Sequence, residues 1–284
     1  MSRRVRAAAA AALMLVVMLC RPAWAYSSES IGTSVRAMSP NATSRSLGAR
    51  LEETALGSYV ADAFRLGAGT DIALVPGGIL DRSLPGGDLT REDAAAVFAT
   101  PQTVFAVELT EKQLFDLLEE GVGELVLSES ERLAPESASD RFLQTSGICV
   151  TFDASQRPGS RVRSVTMDDG TALSRNGIRK LTAALPEAML DGSLDRAWLA
   201  ETDAVPAGTA SELLCRHIQS QDQVEIPELG RYVRLGTSDQ TIYEQLHASS
   251  WLPLLIAAIA ALRLSLQRHR ARDADGSFSK RYWQ

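Results

Sequence analysis

Apolar positions recur at helical spacing between Leu56 and Phe64, with Leu56, Tyr59, Val60, Ala63 and Phe64 on one face. Thr54 stands where a cap would close the start of that helix, and Gly67 and Gly69 stand where it would stop. The period then changes. Asp71-Ile-Ala-Leu-Val75 is a short apolar run between turn residues, which predicts a buried strand. Pro76-Gly77-Gly78 follows as a tight loop whose amides could approach a bound anion closely. Further on, the pattern predicts a helix over Thr90 to Phe98, with Glu92 and Asp93 in its favourable first turn, and a strand over Val104 to Leu109. Thr110-Glu-Lys-Gln113 is a capping box, and Leu114, Phe115, Leu117, Leu118 and Val122 behind it form one stripe that core packing explains. After the polar loop Ser128 to Asp140 come strands over Gly147 to Phe152 and Arg161 to Met167, then the turn Asp168-Asp169-Gly170. Ile178 to Ala184 reads as a weaker strand, Ala210 to Gln219 as a helix and Arg231 to Leu235 as a late strand.

Both ends depart from this periodicity. Residues 1–25 carry a basic start, an apolar core from Ala7 to Leu19 and Ala23-Trp24-Ala25, which predicts a secretory signal peptide cleaved before Tyr26. Residues 26–48 are a polar lead-in with one strand-like piece, Ile31 to Val35, and hold the sequon Asn41-Ala42-Thr43. Near the other end, 249–266 is an apolar stretch of 18 residues that predicts a membrane anchor. Residues 267–284 beyond it are basic, as expected of a cytoplasmic tail behind an exported domain.

Between Tyr26 and Leu262 stand 19 basic and 33 acidic residues, a formal charge near −14. Such a surface disfavours nucleic acid, and a phosphate site would have to work against that field. Cys149 and Cys215 remain after cleavage of the leader. Paired, they would close a loop that contributes about 4 kcal/mol. The reading favoured from the residues is a buried free thiol at Cys149, inside the apolar strand Ile148 to Phe152.

The order of these motifs resembles the C-terminal, substrate-specificity domain of the secreted 5'-nucleotidase and cyclic phosphodiesterase family. That family carries R-x-x-E-[TC]-N-x-G-N-L-[IV]-x-D-A ahead of A-L-[VI]-N-G-G-G-I-R. Here the positions read Arg50-Leu-Glu-Glu53-Thr54-Ala55-Leu56-Gly57-Ser58-Tyr59-Val60-Ala61-Asp62-Ala63 and Ala73-Leu74-Val75-Pro76-Gly77-Gly78-Ile79-Leu80-Asp81. Leu89-Thr90-Arg91-Glu92-Asp93, Val107-Glu108-Leu109-Thr110, Arg141-Phe142-Leu143-Gln144-Thr145-Ser146-Gly147 and Ser160-Arg161-Val162 continue the likeness. The resemblance implies a mixed α/β fold over 49–245, with a mixed sheet flanked by helices.

It also implies a binding site for a nucleoside or nucleotide, held between two aromatic rings and contacted by arginines. Arg50 occupies one arginine position, Gly77 and Gly78 keep two glycines, and Arg82 stands one residue from the position that Asp81 takes. Pro76 replaces the asparagine. Thr100 falls where the first ring belongs, and Leu190-Asp191-Gly192-Ser193-Leu194 supplies none for the second, although Trp198 lies nearby. The loss of two stacking rings costs about 1–3 kcal/mol each. An alternative partner for Arg50 is a structural carboxylate such as Glu53.

In that family a separate two-metal domain performs the hydrolysis, through D-x-H, G-D and G-N-H-[ED] motifs. None of those motifs occurs in this sequence, and His217, His247 and His269 are scattered, so neither a metal centre nor another cofactor is expected. Ser146 and Ser160 sit outside any nucleophile elbow. The sequence therefore reads as an exported, anchored ligand-binding or protein-interaction module. The alternatives are a hydrolase component served by a separate metallophosphatase-domain chain, and a structural envelope protein.

Overall fold

Ile72–Pro76 (β2) is buried at all five positions, which is what its unbroken apolar sequence requires of a central strand. In the computed structural model, which describes residues 29–43, 46–190, 199 and 202–235, β2 lies inside a five-stranded sheet. Its neighbours are Thr103–Thr110 (β4), Leu143–Ser146 (β5), Lys180–Pro186 (β8) and Val205–Thr209 (β9), in the order β5-β2-β8-β4-β9. Only β2 and β8 run parallel; the other three pairings are antiparallel. The sheet is mixed, as the resemblance implies.

Alternate side chains of β2 enter two cores, because successive residues of a strand point to opposite faces. Ala73 and Val75 face a cluster with the helix Ala55–Ala68 (α1), the short helix Arg91–Ala96 (α2) and the helix Ala210–Gln219 (α4). Ile72 and Leu74 face the other, with the helix Glu111–Gly123 (α3) and the strands Ile148–Phe152 (β6) and Val162–Met167 (β7). Burying one such aliphatic side chain contributes about 1.5–3 kcal/mol. β6 and β7 form a three-stranded sheet with Tyr232–Arg234 (β10), and Ser30–Ser34 (β1) pairs with Gly87–Thr90 (β3).

The predicted helix signals are realised. Thr54 caps α1 by accepting from the Gly57 amide, and Gly69 ends it at φ 66. Thr110 with Gln113 closes α3, whose five predicted stripe residues are all buried. Three strands went unpredicted. β3 and β9 are short and carry turn-type residues, and β5 reads L-Q-T-S, with polar residues at positions that are fully buried. The predicted helix at Thr90 to Phe98 is shorter, ending at Ala96.

The predicted leader, anchor and tail, and with them Asp191 to Leu194 and Trp198, lie outside the described residues. Among the described residues no helix is long and apolar enough to cross a membrane.

Candidate functional site

The strand directions gather loops at one end of the central sheet. β2 and β8 run parallel, and each ends in a proline followed by a 3-10 turn, Gly77–Ile79 and Glu187–Met189. Antiparallel β5 and β4 begin at the same end, since Leu143 pairs with Pro76 and Val104 with Pro186. Segments 139–142, 77–82, 99–102 and 187–190 thus meet outside the carboxyl ends of the parallel pair, the usual place for a ligand in an α/β sheet.

The turn bearing Arg50 is fixed to this end by Gln144 of β5, a side chain with no exposure to solvent. Its amide nitrogen donates to Ala49 O at 2.9 Å and Glu52 O at 2.8 Å, and its Oε1 accepts from the Thr54 amide at 2.9 Å. That is a complete physical role for the glutamine of the F-L-Q motif. The turn's own carbonyl at Arg50 accepts from Ser139 N at 2.9 Å.

Gly77 and Gly78 sit where three backbone segments converge. A Cβ on Gly77 would lie 2.0 Å from Ala49 O, and one on Gly78 would lie 2.5 Å from the Asp140 Cβ. Their amides are already engaged: Gly77 N donates to Phe142 O at 2.7 Å and Gly78 N to Asp140 O at 3.1 Å. An anion at this loop would have to compete with those carbonyls. Gly77→Ala should therefore cost about 2 kcal/mol of stability by overpacking, read in urea unfolding, with the Arg50 turn displaced. A variant as stable as the parent would show that the turn yields freely.

Arg50 does not pair with Glu53, the carboxylate offered from the sequence. Its Nε lies 2.7 Å from Asp140 Oδ1, with the two side chains 52% and 73% exposed. Arg82 is 76% exposed and approaches its neighbour Asp81 at 3.8 Å. Asn41, from the sequon, donates to Asp81 O at 3.4 Å, and Asp81 N donates to Val97 O at 2.8 Å. Ala99 N donates to Ile79 O at 3.0 Å, which brings the Thr100 segment alongside, and Gln102 Oε1 accepts from Ala188 N at 3.0 Å. The structure thus collects Arg50, Gly77, Gly78 and Arg82 at one rim. Asp140 and Gln144 were missed from sequence; only their places around the F-L-Q motif point to them.

Family-model comparison matches residues 30–179 to "5'-nucleotidase, C-terminal domain". The chain belongs to this family. Among curated proteins, the trifunctional nucleotide phosphoesterase YfkN of Bacillus subtilis (strain 168) is 30% identical over 123 residues, covering 42% of this chain and 8% of that protein. Among solved structures, the 5'-nucleotidase precursor of Thermus thermophilus is 24% identical, with a TM-score of 0.63 over 78% of this chain and 42% of that one. The NAD nucleotidase of Haemophilus influenzae is 13% identical with a TM-score of 0.59, covering 74% and 38%. Such structural likenesses establish the fold. This chain spans well under half the length of each of these relatives.

Other residues raised from the sequence have structural settings. Ser146 is fully buried; its hydroxyl donates to Asp62 at 2.5 Å and accepts from Arg65 Nε at 2.7 Å. Those bonds account for it without a nucleophilic role. His217 packs its ring 4.7 Å from that of Tyr59, and burial holds its imidazole below the usual range against the opposing pull of Asp62. Cys149 and Cys215 are both free thiols, so the disulfide is not formed. Cys215 lies in the core beside α1, whereas Cys149 Sγ donates to Gly230 O at 3.4 Å from β6. Burial raises both thiols above their ordinary range. Among the described residues no group of three or more His, Cys, Asp and Glu could hold a metal ion.

Proposed function

We propose that this protein is an exported, membrane-anchored 5'-nucleotidase C-terminal domain that works as a recognition module, without a metal centre of its own. The observation that carries the reading is the gathering of Arg50 and the Gly77 to Arg82 loop outside the carboxyl ends of β2 and β8. The ligand class is nucleoside-like, by analogy with the nucleotide substrates in the names of the family's relatives. Both rings of the family's stacking pair are absent at Thr100 and at Leu190 to Leu194, so affinity should be micromolar or weaker.

Calorimetric titration of the full chain with nucleosides, nucleoside monophosphates and nucleotide sugars tests this. Binding should weaken at least about tenfold in Arg50→Ala, the worth of one charge-assisted hydrogen bond. No binding up to millimolar ligand, or binding indifferent to Arg50, would overturn the recognition reading. Export predicts a mature chain beginning at Tyr26 and recovered with membranes; retention of Met1 by mass spectrometry would refute the leader.

A second reading, a hydrolase component acting with a separate metal-bearing chain, is favoured by one observation. The Thermus nucleotidase precursor extends well beyond the 42% that this chain covers. Under this reading, nucleotidase activity appears only when a metallophosphatase-domain protein is added; hydrolysis by the purified chain alone would refute it.

A further inference from the structure

We infer that Asp140 is the charge selector of the rim, turning it toward uncharged nucleosides and away from phosphomonoesters. The inference rests on the reading that Arg50 contacts the ligand.

Each arginine at the rim has a carboxylate beside it, and both glycine amides are engaged. Asp140 sits 2.7 Å from Arg50 Nε, and Asp81 sits 3.8 Å from Arg82 Nε. The amides of Gly77 and Gly78 donate to Phe142 O and Asp140 O. Two guanidiniums and two carboxylates sum to zero, inside a domain whose formal charge is near −14. A phosphomonoester approaching Arg50 therefore meets the Asp140 carboxylate beside the arginine it seeks.

Asp140 is also held in place. Gly78 N donates to the Asp140 carbonyl, and the missing Cβ of Gly78 leaves the space that the Asp140 side chain occupies. Ser139 N donates to Arg50 O at 2.9 Å, so the backbones of the two partners are tied together. The ion pair's closest approach is through Nε, and the guanidinium keeps its terminal nitrogens as further donors. An uncharged hydroxyl can accept from those nitrogens and donate to Asp140 without breaking the pair. A phosphate has no proton to offer the carboxylate once ionised.

The pair itself is exposed and of little worth to stability, so removing its negative member should alter recognition more than folding. Two charges about 4–6 Å apart near a protein surface interact strongly enough to shift affinity by about tenfold at low salt.

The test is calorimetry on the full chain with adenosine, adenosine monophosphate and inorganic phosphate, for the parent, Asp140→Asn, Arg50→Ala and the double variant. The parent should bind adenosine in preference to the monophosphate. Asp140→Asn should raise the monophosphate-to-adenosine affinity ratio about tenfold, the gain shrinking as salt is added. The gain should vanish in the double variant. An unchanged ratio in Asp140→Asn, with Arg50→Ala still losing binding, overturns the selector and leaves the recognition reading standing. A gain that persists without Arg50 also overturns it, since Asp140 would then act only through the overall field. Failure of all three ligands to bind any of the four proteins overturns both.

Discussion

Glu53→Ala should lower the unfolding free energy by about 4 kcal/mol and free the segment from Gly230 to Arg234. The Glu53 carboxylate is 8% exposed. One oxygen accepts from Ser58 Oγ at 2.9 Å; the other accepts from the backbone amides of Gly230, Arg231 and Tyr232 at 2.8, 2.8 and 3.2 Å. Truncation leaves those amides without an acceptor and also weakens the neighbouring pair of Arg231 with Asp62 at 2.7 Å. In a domain of this size such a loss corresponds to about 8–16 °C in the thermal midpoint. Glu53→Gln, which keeps one carbonyl acceptor, should fall roughly midway. Hydrogen exchange should locate the loss at residues 230–232. A Glu53→Ala midpoint indistinguishable from that of the parent would show that β10 is held by its strand pairing to β6 alone.

Arg161→Met should cost about 3 kcal/mol in urea unfolding, because it removes a cation from the C-terminal end of α3. Arg161 Nη1 donates to Val122 O at 2.5 Å, Gly123 O at 3.0 Å and Leu125 O at 2.7 Å, and its Nε donates to Gln156 O at 2.9 Å. Val122 and Gly123 close the last turn of α3, where the final carbonyls lack the amides of a next turn. The same helix carries Glu119, whose carboxylate accepts from the amides of Arg161 and Val162 and from Arg175. Methionine keeps most of the stem's packing, so the loss reports the guanidinium. A loss under about 1 kcal/mol, the worth of an ordinary neutral hydrogen bond, would mean that water replaces the guanidinium without penalty.

These two residues show how the sequence was readable and where it stopped. Glu53 and Arg161 both stand in motifs of the family pattern, R-x-x-E and S-R-V, yet nothing local says what they touch. Glu53 meets amides 177 to 179 residues away, and Arg161 meets a helix end more than 30 residues earlier. By contrast, α1 and α3 are legible because cap, stripe and stop all lie within one helix length. β5 is not, since Gln144, Thr145 and Ser146 are polar side chains buried by partners from other elements. Arg50 is found through the motif, but its counter-ion Asp140 ends a polar loop and lies 90 positions along the chain. Sheet direction, not residue pattern, brings the two together.

The strand order also sets the tempo of assembly. No two hydrogen-bonded neighbours in the order β5-β2-β8-β4-β9 are consecutive in the chain. During synthesis at about 5–20 residues per second, β2 must wait about 3–14 s before its first sheet partner, β5, emerges. Through that interval Ile72-Ala-Leu-Val75 is an unpaired apolar segment with exposed amides and carbonyls, the kind that joins a second chain. The adjacent pair β6 and β7 can close early, so this part of the small sheet should form ahead of the large one, with β10 joining last. Slow, late closure of the central sheet makes nascent-chain aggregation through β2 the principal hazard for this protein before it is complete.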